Sequence, residues 1–419
     1  MSSTSSPALY DPMSPKIRYI LMGFVLITLL IILILVAPRF LGFYYGTRGG
    51  LLFKGVFSSD SGRVANIACA RSPLEEKNER AQVERAIDIL QKSIRYNKNE
   101  SQSYLLLGQA YCLLGQNEKA ISAYQSYTKL RPQNPLGHLE LGFAYEANCR
   151  ASINTGQTAA SSGNSCMEPN QRELITTEWR RAGLPAVDFL TAGEESRAAK
   201  QYEDAFLWYD RAELLAPENR DSIFYKGMIY AQQGRNKLAL QYFQKALNIQ
   251  YSLDNLGSGD IYYQIGLIYQ LGFSPPDLDR AFESYNKAIV ADDFKNDAWL
   301  DNAYYRRGEV TLWLGNSSEE AMRDFEKVVS LNPGHLFARI LLAATYYEVY
   351  KDASRAETEL MRVIAVDPNN KWAFRHLGMI YQAENRIADA KSAYQKVLDI
   401  DPSDDLAKSQ LDILEKQPQ

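Results

Sequence analysis

The sequence predicts an all-α solenoid of paired helices standing behind a single membrane-spanning helix. One supporting observation is a helix-spaced pattern of small, bulky and proline residues that returns at intervals of 34 positions. Another is an uncharged apolar run near the start, long enough to cross a bilayer. A third is that no set of side chains is arranged for catalysis, which points to a surface rather than a reaction.

The apolar run comes first in the chain. After a tail of residues 1–16, a transmembrane signal anchor is expected over residues 17–38, with no charge between Tyr19 and Pro38. Its core, Ile20 to Val36, with a little flanking sequence, would span roughly 30 Å as a helix, the thickness of a bilayer core. A buried core helix would show a polar face over such a length, and this run shows none. A cleaved signal would need a small-x-small site, whereas Ala37 is followed directly by Pro38. Lys16 and Arg18 before the uncharged run favour a cytoplasmic N-terminus, and Phe40, Phe43, Tyr44 and Tyr45 after it read as an interfacial aromatic belt. Residues 39–72 then form a juxtamembrane linker, so the repeats are expected outside the cytoplasm.

The repeating region starts after Ser72-Pro73, a cap and first helical position. An N-terminal helix and first units occupy residues 73–147, a Ser/Gly-rich insertion 148–170, the main array 171–402, and a polar capping helix 403–419. Small residues mark the first helix of each unit at Gly108, Gly142, Gly193, Gly227, Gly266, Gly308, Ala343 and Gly378. The second helix carries an alanine followed four residues later by a bulky side chain, as in Ala120 with Tyr124, Ala239 with Phe243 and Ala390 with Tyr394. Prolines close units at Pro132, Pro217, Pro333, Pro368 and Pro402. The small residue lets two antiparallel helices approach, the bulky one fills the space beside it, and the proline stops the second helix. One pair cannot bury its own apolar face, so pairs stack. The unit around Gly142 shows no second helix before the insertion.

These residues resemble the tetratricopeptide repeat family, in its membrane-anchored bacterial form. The resemblance implies a superhelix whose concave side is lined by the first helices. It places Leu105, Phe224, Met228, Tyr263 and Leu267 on that side. Further along it adds Tyr305, Trp313, Phe337 and Tyr347, and finally Trp372, Arg375 and Met379. Such an aromatic stripe suits an apolar or extended peptide. The carboxylate clamp of chaperone-binding members is missing, because Gln109, Glu194 and Met228 stand where its asparagines would fall.

Other chemistry is sparse. Lys and Arg number 46 against 50 Asp and Glu, for a net charge of −4. No dense basic block occurs, so nucleic acid is not an expected partner. The three histidines are scattered, and the four cysteines form neither a C-x-x-C pair nor a zinc-ligand spacing. No metal, cofactor or catalytic residue is expected. Cys149 and Cys166 bracket the insertion; they are either a disulfide, which requires an oxidising compartment, or two unrelated thiols. For Cys69 and Cys112 only the even cysteine count suggests a pair. The expected function is a non-catalytic, membrane-anchored scaffold for protein partners in cell-envelope assembly or export. The alternatives are an accessory subunit of a membrane glycosyltransferase or polymerase, and an enzyme with an unfamiliar site in the Cys149–Cys166 region.

Overall fold

A computed structural model of the chain describes residues 41, 68–70, 73–154, 169–295 and 297–416. Among them are eighteen α-helices and no strand. The expected anchor, residues 17–38, lies outside the described residues, and so does Cys166. No helix of the described residues is long and apolar enough to cross a membrane. The helices fall into two compact units, Met1–Ala192 and Gly193–Gln419.

The first unit holds α1 (Lys77–Tyr96), α2 (Ser101–Leu113), α3 (Asn117–Leu130), α4 (Pro135–Asn154), α5 (Pro169–Arg181) and the start of α6 (Ala186–Ala198). Helix α1 buries Val83, Ala86 and Leu90 and is joined to α2 by the Ser93–Ser103 hydroxyl pair at 2.7 Å. Helices α2 and α3 form the first hairpin. Gly108 lies against the buried ring of Tyr124, so closely that a Cβ there would fall 2.5 Å from Tyr124 Cε1. Between the two helices Gly115 takes φ +73°, and Gln116 N–H returns to the Tyr111 carbonyl at 2.8 Å.

The second hairpin departs from that pattern. Cys149 stands seven residues after Gly142, where Gly115 stands after Gly108. A side chain at that place disfavours the left-handed turn, and α4 runs on to Asn154. Residues 148–154, read from sequence as part of the insertion, are therefore helical. The missing second helix is α5, on the far side of the insertion. Its Trp179 covers Gly142 as Tyr124 covers Gly108 and packs on Phe143 and Phe189 at 5.2 and 5.1 Å. The His138 ring joins the two helices, with Nδ1 2.6 Å from Glu178 Oε2 and Nε2 2.9 Å from the Pro132 carbonyl.

The second unit continues with α7 (Tyr202–Leu215), α8 (Arg220–Gln232), α9 (Asn236–Leu247), α10 (Ser258–Leu271) and α11 (Leu278–Ala291). It ends with α12 (Asp297–Trp313), α13 (Ser318–Leu331), α14 (Leu336–Tyr350), α15 (Ala353–Val366), α16 (Lys371–Ala383), α17 (Ile387–Ile400) and α18 (Asp405–Glu415). The small-against-large rule holds through this unit: Gly193 meets Tyr209, Gly227 Phe243, Gly266 Tyr285, Gly308 Phe325 and Gly378 Tyr394. Each of those rings is fully buried, a gain of roughly 2 kcal/mol apiece relative to exposure. Several starts are capped by side chains accepting a backbone N–H, as Asn219 does from Ser222, Asn370 from Ala373 and Asp404 from Ala407. Helix α18 closes the stack with Ala407 and Leu414 buried in the same core as α17.

Candidate partner-binding surfaces

The candidate residues sit on first helices, and some of them, such as Tyr263 against Tyr285 and Tyr305 against Phe325, also meet the second helix of their own pair. Burial separates them. Leu105 on α2, Phe224 on α8 and Tyr263 on α10 are buried, which removes three residues from the expected accessible face.

The cause differs between the units. Leu105 belongs to a face of α2 crossed by a short 3-10 turn, Ala68–Ala70, which touches both α2 and α4. The Cys69–Cys112 disulfide fastens that turn, with Cα atoms 4.9 Å apart. In the second unit the cover is Trp299, from an early turn of α12. Its ring lies 6.5 Å from Phe224 and 5.8 Å from Tyr263, while Phe224 also meets Phe243 at 5.3 Å. The residues between Asp292 and Trp299 are extra to the repeat, so the period assigns them no role. The available signal was an aromatic side chain more than two turns upstream of Gly308, where other units have a loop. Met228 and Leu267, beside these, are half-buried.

Helices α12, α14 and α16 keep more of their surface. Tyr305 is half-buried, its hydroxyl donating to Glu309 at 2.8 Å and its ring 4.6 Å from His335. Phe337 and Trp372 occupy equivalent places in the first turns of α14 and α16, helices that touch each other. They are 56% and 42% exposed. Lys371 and Arg375 flank the Trp372 ring, each 5.2 Å from its centre. Arg375 also reaches Asp404 at 3.2 Å, and Met379 is half-exposed on the same helix.

Trp313 is 55% exposed, but it ends α12. Tyr347 is likewise in the last turn of α14, where its hydroxyl donates to Glu384 at 2.8 Å. A rise of 1.5 Å per residue places these last-turn positions about 16 Å along the axis from the first-turn positions. Within the expected aromatic stripe, Trp313, Phe337, Tyr347 and Trp372 therefore fall at two levels: Phe337 with Trp372 at one, Trp313 and Tyr347 at the other.

One carboxylate in the first unit stands apart. Glu140 of α4 is buried, accepting from Gln109 Nε2 at 2.8 Å and from the Tyr124 hydroxyl at 3.1 Å. Burial pushes its carboxyl up to about 7, against the pull of the Gln109, Tyr124 and Ala68 donors. Folding raises this group above its ordinary value of 4.5, so the folded unit holds the proton more tightly than the unfolded chain. The resulting stability is full in acid and is lost as pH rises through 7. Lowering the pH from about 8 to about 5 should accordingly stabilise the first unit by up to about 3 kcal/mol through this group. In Glu140→Gln, denaturant titrations across that range should show this contribution gone; an unchanged pH profile would assign the slope to other groups.

Antiparallel helix pairs locked by small-against-large contacts, with a period near 34, define a helix-hairpin repeat protein. Residues 108–148 match a family described as TPR repeat, and residues 186–255 and 376–404 match families described as tetratricopeptide repeat. The chain thus carries tetratricopeptide repeats. It is 26% identical to TPR repeat-containing protein MJ1428 of Methanocaldococcus jannaschii, across 74% of this chain and 47% of that protein. It is 21% identical to anaphase-promoting complex subunit 7 of Arabidopsis thaliana, across 73% of this chain and 49% of the other. The chain spans about half the length of these two relatives. Among solved structures, YrrB, a TPR protein with an unusual peptide-binding site, is 21% identical over 48% of this chain and 96% of its own, with a TM-score of 0.41.

Proposed function

We propose that this chain is a non-catalytic scaffold, held at a membrane by residues 17–38, whose repeats stand outside the cytoplasm and bind protein partners in envelope assembly or export. Tetratricopeptide repeat proteins generally bind protein or peptide partners. The observation that carries the reading is the exposed Phe337–Trp372 pair on adjacent first helices. Two aromatic side chains left half in water suit an extended peptide with apolar residues; Lys371 and Arg375 beside one of them are already paired with Asp401 and Asp404. The anchor and the location rest on the uncharged run and on Lys16 and Arg18.

The test is affinity capture from the native membrane with the wild-type chain and with Trp372→Ala and Phe337→Ala. Trp372→Ala should weaken capture by about 2 kcal/mol, roughly thirtyfold, because aromatic anchors dominate such interfaces. Its melting temperature should stay within a few degrees of wild type, since the ring is already half in water. A variant that melts far lower yet still captures its partner would make Trp372 a packing residue and move the binding surface elsewhere. Protease added to intact spheroplasts tests the topology: resistance of the repeats until the membrane is broken would place them in the cytoplasm.

A further inference from the structure

The 3-10 turn Ala68–Ala70 is held the way repeat arrays hold peptides. Leu105, Gln109 and Cys112 are spaced i, i+4, i+7 and so form one stripe along α2. The turn lies on this stripe and on the neighbouring α4, and Ala68, Cys69, Leu105 and Cys112 are all buried. The Ala68 N–H donates to the Glu140 carboxylate, which Gln109 and Tyr124 hold in place from the other side. A main-chain donor meets a fixed acceptor, and the small side chain of Ala68 is buried. On the reading that inner faces of this array bind peptides, this face already has its ligand.

We propose that the inner face of α2 and α4 is a peptide-binding groove that the chain fills with its own Ala68–Ala70 segment. Opening the Cys69–Cys112 bridge frees the groove for an extended, small-residue peptide from outside. The bridge decides occupancy because the segment offers little grip of its own: its side chains are two alanines and a cysteine. With the disulfide formed, the segment is present at an effective concentration no free peptide matches. Opening it requires an external dithiol. That dithiol gives two electrons and two protons to the Cys69–Cys112 bond and leaves as its own disulfide, so that two thiols remain on the chain.

The test uses the full chain in detergent and a fluorescent peptide copying residues 65–72, with serine in place of the cysteine. Anisotropy should show no binding to the bridged chain. Binding should be at least tenfold tighter to the chain reduced with dithiothreitol and to Cys69→Ser/Cys112→Ser. Glu140→Ala should weaken binding to the reduced chain about tenfold. Hydrogen exchange of α2 and α4 should rise on reduction and fall again when peptide is added. Should the serine variant fail to fold, the wild-type chain reduced in the cold carries the same comparison. Equal binding to bridged and reduced chains would mean that the segment covers no groove. No binding to either, with exchange unchanged by reduction, would make the segment a fixed strap of the fold. Either result overturns the proposal, and neither touches the Trp372 surface, whose capture assay is read separately.

Discussion

Trp179→Ala should destabilise the first unit by about 4 kcal/mol, among the largest losses available from one side chain in this chain. The indole is fully buried. It fills the space above Gly142, where a Cβ would fall 2.5 Å from its Cδ1, and it packs at steep ring angles against Phe143 and Phe189. Truncation removes the transfer free energy of the ring and leaves a cavity whose walls are helix backbones and aromatic rings, which collapse poorly. The loss also falls where the chain has least to spare, because α4 and α5 are joined through an insertion rather than a tight turn. Trp179→Phe makes the control. It keeps a ring over Gly142 and deletes Nε1, a buried donor with no acceptor among the described residues. Its cost should be about half as large, because removing an unpaired donor returns part of the desolvation penalty. Denaturant titration of both variants checks this; a loss below about 1 kcal/mol for the alanine would show that α5 is not held by its tryptophan.

The contrast between Trp179 and Tyr124 shows where the sequence was readable. Gly108 and Tyr124 are sixteen residues apart, a separation fixed by a short turn between two helices of set length. Close packing demands a small residue opposite a large one at about that separation, so the pairs from Gly193 to Gly378, sixteen to nineteen residues apart, could be read directly. Gly142 and Trp179 are 37 residues apart because the insertion lies inside the hairpin, and no spacing rule survives an insertion of arbitrary length. The same logic explains the surface. The resemblance places Phe337, Trp372 and Met379 on the faces of first helices, and all three are exposed. Register says nothing about what else lies on that face. Trp299 comes from residues outside the repeat, and Ala68–Ala70 from upstream of it, so Phe224, Tyr263 and Leu105 are covered by neighbours the period does not encode. The two levels of the aromatic surface were readable in principle, since first-turn and last-turn positions follow from distance to the small residue. The Cys69–Cys112 pairing was not, because four cysteines allow three connectivities.

Replacing Cys112 with serine should destabilise the first unit by about 4 kcal/mol, and replacing Cys69 as well should add almost nothing. The bridge spans a sequence separation of 43 residues, and closing a loop of that size removes about 4 kcal/mol of chain entropy from the unfolded state. That loop encloses α1 and most of α2. Within the folded unit those helices keep other ties, so losing the bridge need not release them. Gln91 Nε2 still donates to the Tyr111 hydroxyl at 3.0 Å, the Ser93–Ser103 pair remains, and Leu74 N–H still reaches the Leu113 carbonyl at 2.8 Å. The effect should therefore appear in the freedom gained by the unfolded chain more than in lost native contacts. Two consequences separate this from a packing defect. Either cysteine alone is enough to lose the bond, so single and double variants should match within about 0.5 kcal/mol, whereas two independent packing losses would add. The wild-type chain unfolded in dithiothreitol should also fall to the level of the variants. A single variant much less stable than the reduced wild type would show instead that the serine side chain itself, beside the Tyr124 hydroxyl, is what the fold cannot accommodate.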